Sequence, residues 1–142
     1  MAKLEFDPGE MDGIVERISA LGAGADDIMR EAVHAGAEVA VELMREAVPV
    51  STRHREHLRD HIAIGREGYD ATGGYYCEVY PDGTRPGGGK ASGRRYATIG
   101  YVLEYGRSNM AARPWMRPAL AKGEGKIREA MEAVLKAHME DQ

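Results

Sequence analysis

The stretch YVLEYGRSNMAARPWMRPAL, residues 101–120, divides two kinds of sequence. It holds the only tryptophan, Trp115, and the pair Pro114 and Pro118. Before it lies a glycine-rich region that reads as strands and loops. After it lies a helix that runs toward the end of the chain. Pro114 and Pro118 each fix φ near about −65° and remove a backbone N–H, and both suit the first turn of a helix, where that donor has no partner anyway. Trp115 and Met116 can bury large apolar surface, and Leu120 continues that face. The last helix is expected over Pro118 to about Met139. Leu120, Ile127, Met131, Val134 and His138 form its stripe, which is expected to pack on a strand containing Cys77 and Val79. Gly123 and Gly125 weaken its start by about 1 kcal/mol each relative to alanine.

Upstream, Tyr96–Tyr105 fits helix or strand, with Tyr96, Ile99, Val102 and Leu103 favouring a helical face, and Gly106 ends it. Residues 82–95, DGTRPGGGKASGRR, carry Arg85, Lys90, Arg94 and Arg95 against one acid, Asp82. They have no apolar face, so they read as a long mobile basic loop between strands. Tyr75–Pro81 (YYCEVYP) is the clearest strand. Tyr76, Glu78 and Tyr80 should share one face, Cys77 and Val79 the other. Residues 68–74 read as a turn and Ile62–Arg66 as a strand. Arg53 to about His61 suits a short helix capped by Ser51 or Thr52. A long helix is expected over Ala25 to Val48, opened by Asp26 and Asp27 and stopped by Pro49. Its alanines and Gly36 permit close packing against a sheet or a neighbouring subunit. Glu10–Leu21 is amphipathic and helical in spacing, and residues 1–9 read as extended or frayed.

The 142 residues suggest one α+β domain: a small mixed sheet packed by the long helix and the C-terminal helix. A net charge of −4 gives no global case for nucleic acid. Cys77 is the only cysteine, which excludes an intramolecular disulfide. The opening MAKLEFDPGE has neither the apolar core nor the cleavage signal of a secretory peptide, and no apolar run of membrane-spanning length is present.

Candidate chemistry is sparse. His54, His57 and His61 share one face of a helix, a spacing that suits zinc, but Arg53, Arg55 and Arg59 surround that face and no His-Glu-x-x-His pattern is present. No metal site is expected there. Gly87-Gly88-Gly89-Lys90 lacks the serine or threonine and the earlier glycine of a phosphate loop. Cys77 lies mid-strand, away from anything that activates a thiol. Neither a catalytic constellation nor a cofactor signature emerges.

Two segments carry a resemblance. Glu104-Tyr105-Gly106, followed by Arg113-Pro114-Trp115-Met116-Arg117-Pro118-Ala119-Leu120, resembles the Glu-Phe/Tyr-Gly … Pro-Phe-Leu/Met-Arg-Pro-Ala ending of tail-completion, or head–tail joining, proteins of long-tailed bacteriophages, with Trp115 in the phenylalanine position. These are gene-product-ten-like minor tail proteins. Pro49 and Thr52, followed by Leu58, are similar to an upstream motif of that family, with Arg53 in place of its glycine and His61 in place of its serine. The resemblance implies a non-catalytic virion protein at the tail–head junction, without a cofactor. It implies a ring, commonly of six subunits, contacting the tail tube or tail terminator and the head connector, with no membrane role. The motif residues would be structural. Arg85, Lys90, Arg94 and Arg95 would form an interaction loop touching a partner or, without sequence preference, DNA in the lumen. The alternative is a nucleic-acid-binding module that uses this loop.

Overall fold

The computed structural model describes residues 2–5, 16, 20, 24–49, 58–85 and 95–140. The expected helix over Glu10–Leu21, apart from Glu16 and Ala20, lies outside them, as do the Ser51/Thr52 cap, His54, His57, Lys90 and Arg94.

The β-formers of YYCEVYP make the central strand. Strand β3 (Tyr75–Pro81) pairs with β2 (Ile62–Tyr69) on one side and β1 (Ala2–Glu5) on the other. Ala2–Glu5, within the stretch expected to be extended or frayed, is therefore a paired strand. Cys77, Val79 and Pro81 are buried, and Tyr76, Glu78 and Tyr80 alternate with them at intermediate exposure. Both pairings are antiparallel, where the sequence suggests a mixed sheet. The β2–β3 connection is too short for the crossover that parallel strands need. It is a turn held by Asp70, whose Oδ1 accepts from Thr72 N, Thr72 Oγ1 and Gly74 N at 2.9, 2.6 and 2.9 Å. Strand β2 outruns its expected end because the ladder resumes past a bulge, from Glu67↔Cys77 to Tyr69↔Tyr75.

Helix α1 (Ala25–Ala47) starts at Gly24, whose φ of 102° a side chain would resist, and no side chain caps it. Asp26 and Asp27 occupy its first turn. It ends where Val48 turns extended before Pro49. One side of α1 meets the sheet: Arg45 Nη2 donates to Ile62 O at 3.0 Å. The other side meets α3 (Met116–Glu140), which runs antiparallel to it. Glu31 pairs with His138, Gly36 lies under Met131 and Ile127, and Leu43 lies over Gly123.

This corrects the packing expected for the last helix. Its buried stripe is Ile127, Met131 and Leu135, with Val134 and Leu120 half-buried, and it packs principally on α1. Helix α1 already covers the buried sheet face, and its small residues leave the groove into which α3 settles. A Cβ on Gly36 would stand 2.8 Å from Met131 Cγ, and one on Gly123 would stand 2.3 Å from Leu43 Cδ1. The two glycines therefore set the helix separation.

Tyr96–Tyr105 is helical (α2), closed by Gly106, whose N–H donates to Val102 O at 2.7 Å. The basic loop thus connects a strand to a helix, and not two strands. Residues 86–94 lie outside the described residues. The ends of the loop meet, since Thr84 bridges Arg95 and Tyr96 N donates to Gly83 O. Of the short helix expected before β2, Leu58–His61 is described and forms a 3-10 turn with Leu58 buried.

Candidate functional site

The motif residues converge where α2 ends and α3 begins. Helix starts expose N–H groups without partners inside the helix, and these suit a negative charge. Here the charge comes from another helix. Glu104 is 1% exposed. Its Oε2 accepts from Trp115 N and Met116 N, both at 2.7 Å, and its Oε1 accepts from Arg117 N at 3.1 Å and Arg117 Nε at 2.9 Å. Pro118 has no N–H to leave unpaired, so it completes this turn.

Burial works against the charge on Glu104. The N–H groups of Met116 and Trp115 and the Arg117 guanidinium together outweigh it, and the carboxyl titrates below its ordinary value of 4.5. The group therefore stays ionised and keeps four acceptor contacts at neutral pH. Such charge-assisted bonds are roughly twice as strong as neutral ones.

The intervening chain has to fold back on itself for this to happen. Gly106 allows it, with φ 74°, and a Cβ there would lie 2.7 Å from Ala112 N. Arg107 and Met110 exchange backbone bonds across a tight turn, and Arg113 N donates to Leu103 O at 2.7 Å. Pro114 then delivers Trp115, which is 2% exposed. The indole Nε1 donates to Gly100 O at 3.1 Å, and Gly100 lets the ring and Pro81 close on α2. Trp115 thus seals α2 against the end of β3.

Outside this sealed joint lies an exposed face. Tyr101 and Tyr105 are 56% and 49% exposed, with ring centroids 4.8 Å apart. The Arg117 guanidinium lies 4.9 Å from the Tyr105 ring centre, a cation–π contact, while its Nε stays on Glu104. One arginine therefore links the buried carboxylate to the aromatic surface. Sequence reading places Tyr105 and Arg117 in the motif but misses Tyr101. The signal was its position four residues before Tyr105 on a helix.

The remaining candidates lie elsewhere. Pro49 follows α1, and Leu58 is buried in the core. Arg85 is half-buried with its guanidinium 5.9 Å from the Tyr96 ring centre, and Arg95 is exposed. His61 stacks on Tyr96 with centroids 3.9 Å apart, so its ring is engaged in packing.

No curated protein and no solved structure gives a significant match. The family model described as "Bacteriophage HK97-gp10, putative tail-component" matches residues 12–106, about two-thirds of the chain. The match includes the Pro49–Leu58 segment and closes on Glu104-Tyr105-Gly106, whose carboxylate holds the start of α3. The chain belongs to this bacteriophage tail-component family.

Proposed function

We propose that this tail component completes the phage tail and joins it to the head connector, as a ring-forming assembly protein without catalysis. Six subunits is the ring size favoured by the motif resemblance. The observation that carries the reading is how the motif is used. Glu104, Gly106, Trp115 and Pro118 are consumed in locking α2 to α3, and the lock presents Tyr101, Tyr105 and Arg117 to solvent on a rigid mount. Tyrosine and arginine on a rigid support are the residue types that dominate interface energetics. The tail tube or terminator and the head connector are the partners this face would meet.

The test uses a phage deleted for the gene and supplied with the protein in trans. Wild-type protein should restore joined particles. Tyr101→Ala/Tyr105→Ala should fold but leave separate heads and tails under the electron microscope. Normal joining without any copy of the protein would overturn the reading. The mass of the purified particle, read by light scattering, gives the ring size.

The basic loop supports a subsidiary contact. Its ends meet where Thr84 bridges Arg95, so the chain leaves and re-enters the fold at one place. Contacts to DNA phosphates there would weaken steeply with salt and show no base preference. Replacing Arg85, Lys90, Arg94 and Arg95 by serine removes the loop's positive charge without shortening it. Unchanged joining in that variant would remove the loop from the mechanism.

A further inference from the structure

A second polar centre lies where α1 meets the β2–β3 hairpin. The bulge in β2 creates it. Ile64 pairs with Val79 and Glu67 with Cys77, so Gly65 and Arg66 together stand against Glu78 alone. Without the extra residue Arg66 would face Cys77. With it, a carboxylate turns onto the sheet face that carries α1, and re-aiming a side chain is what a bulge does. There His34 Nε2 hydrogen-bonds Glu67 Oε2, and Cys77 Sγ lies 3.8 Å from the same oxygen. The Tyr75 hydroxyl also bonds Glu67. One donor atom from each of His34, Glu67 and Cys77 lies within 4.8 Å of the other two. Cys77 is fully buried, while the His34 and Glu67 side chains are 41% and 45% exposed, so the cluster is open to solvent on one side only.

We propose that His34 Nε2, a Glu67 carboxylate oxygen and Cys77 Sγ bind a divalent zinc-like cation that staples α1 to the hairpin. Nitrogen, oxygen and sulfur donors together select a borderline-soft metal such as zinc over magnesium or calcium, which prefer oxygen alone. Zinc bonds of roughly 2.0–2.3 Å place tetrahedral donors about 3.3–3.6 Å apart, within reach of this cluster by side-chain adjustment. The metal takes the place of the hydrogen between His34 and Glu67, which ends on His34 Nδ1 as the neutral ring changes tautomer. It also displaces the thiol proton: Cys77–SH and M²⁺ give Cys77–S–M⁺ and H⁺, with no change of oxidation state. The three ligands come from positions 34, 67 and 77, a spacing that no sequence motif marks.

The experiment titrates cobalt(II) chloride into the metal-free full-length chain. The expected result is a thiolate-to-cobalt charge-transfer band that saturates at one equivalent, with the visible bands of tetrahedral cobalt, both bleached by zinc. Cys77→Ser should abolish the charge-transfer band, and His34→Ala should weaken binding at least tenfold. Absence of the band in the wild-type chain at one equivalent would overturn the proposal, and that measurement stands even if a variant fails to fold. Unchanged zinc stoichiometry in folded Cys77→Ser would also overturn it, by assigning the metal to other histidines of the chain.

Discussion

Glu104 and Glu67 are two carboxylates held below their ordinary pKa by different means. Glu104 is sealed, and three of its four contacts come from backbone N–H groups at the start of α3, the fourth from the Arg117 side chain. Glu67 is half open, and its partners are the side chains of His34, Tyr75 and Cys77, each of which can turn away. The hydrogen bond to His34 is the largest cause of its lowering. The sealed site fixes the fold, and the open one keeps donors that a ligand can take over. Burial with rigid partners produces architecture, and exposure with mobile partners leaves chemistry available.

Removing the sealed carboxylate should have the largest effect. Glu104→Ala leaves buried N–H groups and Arg117 without their acceptor, and should cost about 3–5 kcal/mol in a chemical denaturation curve. The pH dependence gives a sharper reading. The folded pKa lies below the unfolded one, so the Glu104 contribution is complete above the ordinary value near 4.5 and is lost as pH falls through the folded value. Glu104→Gln cannot titrate, so the gap between it and the wild type should narrow as the solution is acidified. A constant gap from pH 7 to pH 2 would mean that the charge does not matter.

Gly106 tests the same joint from its backbone. Gly106→Ala meets both a positive φ and Ala112 N, and should destabilise by about 1–3 kcal/mol. The contrast between crowded and open places recurs inside α3. Gly123→Ala would drive a methyl group into Leu43 and should lose about 1 kcal/mol net after the helix-propensity gain. Gly125 has nothing within 4 Å of an added Cβ, so Gly125→Ala should gain about 0.5–1 kcal/mol. Equal shifts of one sign in the two variants would show that α3 does not rest on α1 as described.

Local pattern carried much of the fold, and burial order carried the rest. YYCEVYP specified β3 to the residue, and Pro49 specified the end of α1, because alternation and proline sterics act within a few residues. The partner of α3 was not legible. Its apolar stripe states what must be buried but not whether a sheet or a helix receives it, and the answer lies in Gly36 receiving Met131 and Gly123 receiving Leu43, contacts between residues far apart in the chain. The Glu104 cap was half legible, since the motif named the residues but not the bonds between them. His34, Glu67 and Cys77 left no trace in the sequence. Their approach depends on one extra residue in β2, which shifts register without altering composition.

The smallest expected effect on stability is the most informative for the open site. Glu67→Gln keeps the size of the side chain and an oxygen that can accept from His34 and Tyr75, and the position is exposed, so the metal-free chain should melt at the wild-type temperature. Its amide is a far weaker metal ligand than a carboxylate, so cobalt affinity should fall at least tenfold while the thiolate charge-transfer band persists at saturation. A variant that melts early in the absence of metal would make Glu67 an architectural residue like Glu104. A variant that melts normally and binds cobalt as tightly as the wild type would leave the bulge without a role in binding. If melting is unchanged and affinity drops, one carboxylate of the pair belongs to the frame and the other to a ligand.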